Sequence, residues 1–336
     1  MKKMRKIDTC IVGATGLVGQ TMLNVLAEYD FPVGRLKLLA SKRSAGKVCV
    51  FKGKEYTVEE LTKTSFDGYD LALFSAGAEI SLEFAPLARE HGLVVIDNSS
   101  AWREDPSIPL IVPEVNLADH EMNRLIANPN CSTIQAILPL KALQQTFGVN
   151  RVNYSTYQAV SGSGQQGLTD LHATQKGQEP SLYPHDISQT VIPEIDAPLV
   201  DGYTKEEHKM MAETRKILHL PNLPVSATCV RVPIEVGHGV LIAVQLAQPF
   251  SLAAVRQCLQ HFPGITVVDD LPNHTYPTSI LAKGTDEVYV GRLRHDPTLE
   301  NGLLLYTVAD NIRKGAAANA VQIASALLSP IREVIQ

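Results

Sequence analysis

The chain has few cysteines, and they lack the spacing of a disulfide framework or a metal site. Five are present, at positions 10, 49, 131, 229 and 258, with no C-x-x-C pair among them. An odd number of scattered thiols favours a reducing compartment. The apolar stretch near the N-terminus is interrupted by Thr15 and three glycines, which is untypical of a signal peptide. We therefore expect a cytoplasmic protein that holds no metal.

Long apolar runs and clusters of one charge are also absent. No stretch approaches the roughly 18 consecutive apolar residues of a transmembrane helix. The net charge is −5 and there is no basic run, so neither nucleic acid nor an anionic membrane is an expected partner. With 336 residues and 45% hydrophobic content, the chain suits two globular domains.

The hydrophobic pattern changes near residue 131. Before it, fully apolar strands alternate with helical patterns, as in a buried parallel sheet covered by helices. After it, residues 152–159, 226–232 and 241–246 alternate between apolar and polar side chains, which predicts a largely antiparallel sheet. The last helical pattern has an alanine-rich face, and we expect it to pack on the first domain. The predicted domains are 1–130, joined by about 311–336, and 131–310.

A glycine-rich turn separates the first predicted strand from the first predicted helix. It reads Gly-Ala-Thr-Gly-Leu-Val-Gly over residues 13–19, and glycine lets a backbone turn tightly and approach a phosphate closely. In this context the pyrophosphate of a dinucleotide meets a helix N-terminus. The alternative is an ordinary turn of an α/β protein that binds no nucleotide. We predict a Rossmann-type domain whose cofactor-binding residues include Gly13, Thr15, Gly16, Leu17 and Val18.

The end of the second predicted strand indicates which dinucleotide binds. Folds specific for NAD place an acid there for the ribose 2′-hydroxyl, whereas this chain has Ser41, Lys42, Arg43 and Ser44. Two cations and two hydroxyls are suitable donors to a 2′-phosphate. Alternatively, the two cations are solvated surface charges. We predict NADP as the cofactor, with Ser41, Arg43 and Ser44 among its ligands.

Cys131 follows a turn-forming Asn-Pro-Asn and opens a helical pattern. A thiol in the first turn of a helix lies at the positive end of the helix dipole, beside backbone N–H groups that lack helical partners. Both favour the thiolate, and the N–H groups suit an oxyanion formed when sulfur attacks a carbonyl. The alternative is a small buried core side chain. Pro139 lies within the predicted helix and is expected to kink it or to cost about 3 kcal/mol.

His238 lies between two glycines, seven residues after Arg231. An isolated histidine is more often structural than catalytic. Its glycine flanks, the preceding arginine and an available cysteine favour a role as acid/base partner of Cys131, provided that the fold brings the two together.

Taken in order, these motifs resemble bacterial aspartate-β-semialdehyde dehydrogenases over nearly the whole chain. The resemblance rests on residues 13–19, 41–46, 97–103, 112–116, 128–135, 157–164, 231–238 and 309–319. It implies a reversible, NADP-dependent conversion of L-4-aspartyl phosphate to L-aspartate 4-semialdehyde and phosphate, in lysine (diaminopimelate), threonine and methionine biosynthesis. It also implies an α/β chain with a C-terminal α+β catalytic and dimerisation domain, a small-molecule substrate, and a homodimer or dimer of dimers.

The resemblance also implies roles for individual residues. The implied nucleophile, general acid/base and orienting amide are Cys131, His238 and Gln158. The implied ligands of the substrate α-carboxylate, ammonium and phosphate are, respectively, Arg231, Glu206, and the group Arg103, Lys209 and Asn130. Three more residues are implied in cofactor binding: Ser161, Gly162 and Asn311. Without the resemblance, Glu206 and Lys209 form an ordinary surface i,i+3 pair, and residues 161–167 form a flexible linker.

Two other functions share parts of this pattern. Another acyl-phosphate reductase, such as glyceraldehyde-3-phosphate dehydrogenase or N-acetylglutamyl-phosphate reductase, would have the same cysteine, histidine and glycine-rich turn. Arg231 and the Glu206/Lys209 pair favour an amino-acid substrate with both charges free. A non-catalytic paralogue is expected to have lost the nucleophile or the base, and this chain has both.

Overall fold

The computed structural model describes residues 5–121 and 123–328. The strands are β1 Ile7–Val12, β2 Val33–Ala40, β3 Val48–Phe51, β4 Lys54–Thr57, β5 Glu59–Glu60, β6 Leu71–Phe74, β7 Val94–Asp97, β8 Leu125–Ala127, β9 Val149–Ala159, β10 Val225–Val232, β11 His238–Leu246, β12 Ile265–Val267, β13 Val288–His295 and β14 Gly302–Ala309. The helices are α1 Leu17–Glu28, α2 Ala78–Glu90, α3 Pro113–Asn116, α4 Cys131–Phe147, α5 Gly164–Thr174, α6 Lys205–Leu218, α7 Leu252–Gln260, α8 Ser279–Ala282 and α9 Ala318–Leu328.

The chain divides into two compact units. Described residues up to Pro129 and from Ala316 onward form the first, and Asn130–Gly315 forms the second. Within the part of the chain that the structure describes, no helix is long and apolar enough to cross a membrane. The predicted C-terminal helix extends to 336, and its residues beyond 328 lie outside the described ranges.

The first unit contains a six-stranded sheet in which every neighbouring pair is parallel. The strand order is β5-β2-β1-β6-β7-β8, the arrangement of a Rossmann fold, in which the order reverses between β1 and β6. Ligands of such sheets bind at the carboxyl ends of the strands beside this reversal, where the glycine-rich turn follows β1. The helix α9 packs in the core of this unit through its alanines, including Ala320 and Ala324. The predicted fold class is confirmed for this half.

The second unit contains a mixed sheet of order β10-β9-β11-β14-β13-β12. The β9/β11, β11/β14 and β13/β14 pairs are antiparallel, while β10/β9 and β12/β13 are parallel. The parallel pairing of β9 with β10 needs a long crossover, and the segment that contains α5 and α6 supplies it. The helix α4 packs across β9, β11 and β14, and α6 packs on β10 and α4.

α4 contains Pro139 and continues to Phe147. One local expectation differs from the structure. Residues 161–167 are not a flexible linker, because they form a 3-10 turn, Val160–Ser163, and the first turn of α5. The buried side chains of Val160 and Leu171 pack together and hold this segment in place.

Gly239 packs closely against the side chain of Tyr306 on β14. A methyl group at Gly239 would overlap the hydroxyl oxygen of Tyr306 and lie 2.6 Å from the Cζ atom of that ring. Overpacking of this kind costs about 1–3 kcal/mol. Gly239→Ala should therefore lower the free energy of unfolding by about that amount in urea denaturation. In a Tyr306→Leu background the same substitution should cost clearly less, and an equal cost in both backgrounds would contradict the clash.

Candidate active site

Cys131 is the first residue of α4, and Asn130 caps that helix. The Asn130 side-chain oxygen accepts hydrogen bonds from the backbone N–H groups of Ser132 at 2.9 Å and Thr133 at 3.3 Å. This is the usual device that defines a helix N-terminus. Cys131 is partly exposed, and all five cysteines of the chain are free thiols. A methyl group at Gly315 would lie 3.0 Å from Cys131 Cβ, so this glycine packs directly against the cysteine.

Two carboxylates of α6 hold Asn130. Its backbone N–H donates to Glu213 Oε2 at 2.7 Å, and its side-chain Nδ2 donates to Glu206 Oε1 at 2.8 Å. The two acids are seven residues apart, which is two helical turns, so they project from one face of α6. Sequence reasoning missed Glu213, although this spacing from Glu206 was a signal that could have found it.

The Glu206 carboxylate also joins Gln158 to this network. Gln158 Nε2 donates to Glu206 Oε1 at 3.2 Å and to Thr156 Oγ1 at 3.3 Å. Glu206 is only 5% exposed, so it is not part of an ordinary surface pair. Lys209 Nζ lies 3.5 Å from Glu206 Oε2 and 2.6 Å from Asp196 Oδ2. Asp196, which sequence reasoning also missed, therefore neutralises the lysine together with Glu206.

His238 and Arg231 meet at the backbone of Ala159. The N–H of Ala159 donates to His238 Nδ1 at 3.0 Å, and Arg231 Nη1 donates to the carbonyl oxygen of Ala159 at 2.8 Å. His238 is completely buried and Arg231 is 5% exposed. Among the described residues, neither His238 Nε2 nor Arg231 Nε has a hydrogen-bond partner. Buried polar atoms of this kind are uncommon and point to a bound group.

Strand register explains why these side chains converge. Arg231 on β10 lies beside Gln158 on β9, and Gly239 on β11 lies beside Tyr157 on the other side of β9. The carboxyl ends of β9 and β10 and the start of β11 thus lie together. The turn after β9 closes this corner, because a methyl group at Gly162 would lie 2.6 Å from Arg231 Nη1 and 3.3 Å from His238 Nε2.

Asn311 connects two turns around His238. Its Oδ1 accepts the backbone N–H of Gly237 at 2.8 Å, and its Nδ2 donates to Ser161 Oγ at 3.0 Å. These contacts hold the turn before His238 and the turn after β9 in fixed positions. The roles of Ser161, Gly162 and Asn311 in cofactor binding remain predictions.

The burial of His238 makes folding stability depend on pH. Burial, and secondarily the nearby Arg231 cation, hold the pKa of His238 well below its usual value of 6.5. The unfolded chain binds a proton below about pH 6.5 that the folded chain does not, so stability is lost as the pH falls through that value.

His238→Gln replaces the ionisable ring with a neutral amide, so the variant lacks the contribution of His238 to the pH dependence of the free energy of unfolding. In urea denaturation between about pH 7 and pH 5, the wild type should lose up to about 1.4 kcal/mol per pH unit more than the variant. Parallel pH dependences of the two proteins would contradict a buried, neutral His238.

The glycine-rich turn of the first unit fits a pyrophosphate. Gly13 has φ of +86°, and a side chain there would strike the carbonyl oxygen of Ser75. Gly16 is the N-cap of α1 and offers no side-chain cap, so the N–H groups of the first turn lack helical partners and suit an anion. Gly16 is exposed, and Thr15, Leu17 and Val18 are partly exposed.

The remaining predicted ligands of the first unit lie in two places. Ser41, Lys42 and Arg43 are exposed immediately after β2, where a 3-10 turn ends at the buried Ser44. Arg103 is buried, and its guanidinium donates to the backbone oxygens of Asn128 and Asn98, at 2.9 Å each. Across residues 5–121 and 123–328, no cluster of His, Cys, Asp and Glu could hold a metal ion.

A Rossmann-type unit followed by a mixed-sheet unit with a helix-capped cysteine is the architecture of a nicotinamide-dinucleotide-dependent oxidoreductase. Residues 8–123 match the family model of the semialdehyde dehydrogenase NAD binding domain, and residues 140–314 match that of the semialdehyde dehydrogenase dimerisation domain. The chain is 53% identical over 329 residues to the aspartate-semialdehyde dehydrogenase of Aquifex aeolicus, with 95% of this chain and 97% of that protein covered. The chain belongs to the aspartate-semialdehyde dehydrogenase family, and the resemblance found in the sequence is confirmed.

Other relatives agree with this assignment. The aspartate-semialdehyde dehydrogenase of Bacillus subtilis is 45% identical over 338 residues, covering 96% of this chain and 98% of that protein. The crystal structure of aspartate semialdehyde dehydrogenase II from Vibrio cholerae, complexed with ASA, has a TM-score of 0.92 at 44% identity, with 96% and 98% of the two chains covered. The structure of the Candida albicans enzyme with NADP has a TM-score of 0.77 at 25% identity, with the same coverage.

Proposed function

We propose that this chain catalyses the reversible, NADP-dependent conversion of L-aspartate 4-semialdehyde and phosphate to L-4-aspartyl phosphate, through a thioester on Cys131. The observation that carries the proposal is the network around the cysteine. Asn130 caps the helix that begins at Cys131, and its side chain shares Glu206 with Gln158. Ala159 follows Gln158 on β9. Its N–H donates to His238, and its carbonyl oxygen accepts a hydrogen bond from Arg231.

The chemistry follows from a sulfur nucleophile. The Cys131 thiolate attacks the aldehyde carbon and forms a thiohemiacetal, and loss of hydride from that carbon gives the thioester. Bound NADP supplies the hydride acceptor, or the donor in the reverse direction. A phosphate oxygen then attacks the thioester carbon, the carbon–sulfur bond breaks, and the thiolate is restored. We propose that His238 is the general acid/base of these steps, as the sequence indicates, and that Gln158 orients the intermediate.

Charged side chains of the second unit suit an amino acid with free carboxylate and ammonium groups. We propose that the buried Arg231, whose Nε has no described partner, takes the α-carboxylate in a bidentate pair. Glu206 is proposed to receive the ammonium group. The residues proposed to bind phosphate are Arg103, Asn130 and Lys209. Because Asp196 contacts Lys209 Nζ at 2.6 Å, phosphate must compete with that carboxylate.

The preference for NADP rests on the end of β2. Ser41, Lys42 and Arg43 are exposed there without an acid among them, and such donors suit a 2′-phosphate. The pyrophosphate is proposed to bind the glycine-rich turn, at Gly13, Thr15, Gly16, Leu17 and Val18. Ser44 is proposed to complete the 2′-phosphate site. The remaining cofactor ligands are proposed to be Ser161, Gly162 and Asn311.

The second unit matches a dimerisation domain. We propose a homodimer or a dimer of dimers, assembled through that unit. The five free thiols support a cytoplasmic location.

The direct test is phosphate-dependent reduction of NADP by purified protein, followed as NADPH formation. Aspartate semialdehyde should be turned over, and N-acetylglutamate semialdehyde and glyceraldehyde 3-phosphate should not, because neither offers the ammonium group proposed for Glu206. Preferential turnover of the acetylated substrate would point to an N-acetylglutamyl-phosphate reductase. Failure to turn over any of the three aldehydes would favour a non-catalytic paralogue.

A further inference from the structure

Two carboxylates of the second unit hold Lys209, the lysine assigned above to phosphate binding. Its Nζ lies 2.6 Å from Asp196 Oδ2 and 3.5 Å from Glu206 Oε2. Glu206 is buried and belongs to the network around Asn130, whereas Asp196 lies on the loop that precedes α6. One ammonium between two carboxylates leaves negative charge in excess, so a phosphate anion that approaches the lysine is repelled by the second carboxylate.

The loop that carries Asp196 is anchored at both ends, and we call its residues 192–204 the strap. At its start, Ile192 is buried and exchanges both backbone hydrogen bonds with Arg231 of β10, at 2.9 and 2.8 Å. Towards its end, the carbonyl oxygen of Ala197 accepts the N–H of Lys205, the first residue of α6, at 2.9 Å. The strap therefore connects β10 with the N-terminus of α6.

Asp196 adopts a conformation that directs its carboxylate to the lysine. Its φ is +68°, in the left-handed region that side chains other than glycine rarely adopt. Its Oδ1 accepts the N–H of Ala197 at 2.8 Å, while Oδ2 accepts Lys209 Nζ. Burial raises the pKa of Asp196, but the hydrogen bonds from Lys209 and Ala197 outweigh burial and hold the pKa below its usual value of 3.8. The carboxylate is therefore ionised at neutral pH.

We propose that Asp196 competes with phosphate for Lys209 and thereby sets the phosphate affinity of the site. This inference rests on the proposed function, in which the lysine binds phosphate. When phosphate binds, the ammonium exchanges its contact with Asp196 for a contact with a phosphate oxygen, and no covalent bond changes. Glu206 does not make this exchange, because it is buried and its Oε1 accepts hydrogen bonds from Asn130 and Gln158.

The exchange favours release of phosphate. In the direction of reduction, aspartyl phosphate acylates Cys131 and leaves inorganic phosphate beside Lys209. Because Asp196 binds the same ammonium, it stabilises the phosphate-free state and lowers the apparent affinity for phosphate. In the opposite direction the same competition raises the phosphate concentration that the enzyme requires.

Calorimetric titration with inorganic phosphate tests the competition on the full chain with NADP present and without aldehyde. Asp196→Asn removes the charge at nearly constant size and should lower the phosphate Kd by about three- to fivefold, the usual strength of a partly exposed ion pair. Asp196→Gly accommodates the left-handed backbone conformation and should lower the Kd at least as much. Lys209→Ala should raise the Kd by at least about tenfold.

Asp201→Asn is the matched control. Asp201 also lies on the strap, and it pairs with His208 of α6 at 2.7 Å. The substitution therefore removes an equal charge and a contact with the same helix, but it does not release Lys209, and the phosphate Kd should change by less than about twofold. During turnover, Asp196→Asn should lower the KM for phosphate without a matching change in the KM for aspartate semialdehyde. A general disturbance of the strap would alter both.

The outcomes separate this inference from the proposed function. A phosphate Kd that is unchanged or higher in both Asp196 variants, while Lys209→Ala still weakens binding, would overturn the competition and leave Asp196 as a support of the lysine. If Lys209→Ala bound phosphate as tightly as the wild type, the phosphate site would be wrong, and the inference would fail with it. Inactivity of the wild type towards aspartate semialdehyde, with the expected order of Kd values, would count against the proposed reaction alone.

Discussion

Cys131→Ala is expected to reduce phosphate-dependent NADP reduction by at least about 10⁴-fold, because removal of a covalent nucleophile closes the thioester route. The substitution is small and the helix cap is made by Asn130, so the fold should be retained. Wild type and variant are compared by NADPH formation with aspartate semialdehyde, together with mass spectrometry of a trapped acyl-enzyme. The variant should show neither turnover nor acylation.

Cys258→Ala is the matched control. This thiol lies on α7 and is also partly exposed, but burial raises its pKa, which favours the unreactive thiol. Its removal should leave turnover within about twofold of wild type. Full activity of the Cys131 variant would exclude the thioester mechanism, whereas equal losses in both variants would indicate that thiols of this unit matter for folding.

Arg231→Lys should lower kcat/KM for aspartate semialdehyde by about 100-fold, mainly through a higher KM. A lysine is a single-point cation and cannot reproduce a planar bidentate contact with a carboxylate. Loss of one partner from a buried charged pair commonly costs about 2–5 kcal/mol, which agrees with this loss of kcat/KM. Steady-state kinetics at saturating phosphate and NADP measure the change.

A suitable control for this variant is Arg256→Lys. Arg256 pairs with Asp269 at 2.7 Å and is more exposed than Arg231, so the substitution should leave kcat/KM nearly unchanged. If Arg231→Lys bound aspartate semialdehyde with an unaltered KM, the α-carboxylate would have to be held by another residue.

Much of the local structure follows from the sequence pattern. The glycine-rich turn over residues 13–19 was predicted to separate a strand from a helix, and it lies between β1 Ile7–Val12 and α1 Leu17–Glu28. These segments were predictable because periodicity and turn residues act over short distances. The same is true of α4, whose start at Cys131 is set by the side chain of the preceding asparagine.

The pairing of strands that are distant in the sequence was harder to predict than local structure. Alternation along residues 226–232 correctly predicted a strand, but the antiparallel pairing expected from it is wrong for this strand, because β10 pairs with β9 in parallel. Residues 161–167 contain glycine and serine, which favour a loop by themselves. They become a 3-10 turn and a helix because buried Val160 and Leu171 provide packing that local propensity does not include.

The sequence by itself determined the succession of strands and helices, the glycine-rich turn, and which cysteine opens a helix, because each depends on neighbouring residues. Only the tertiary structure decided that Glu206 is buried and shared by Asn130 and Gln158. It also added Glu213 to that network and set the Ala159 N–H against His238 Nδ1. These contacts join residues 48–83 positions apart, and such distances are set by the packing of α6 and the register of β9, β10 and β11 rather than by any local pattern.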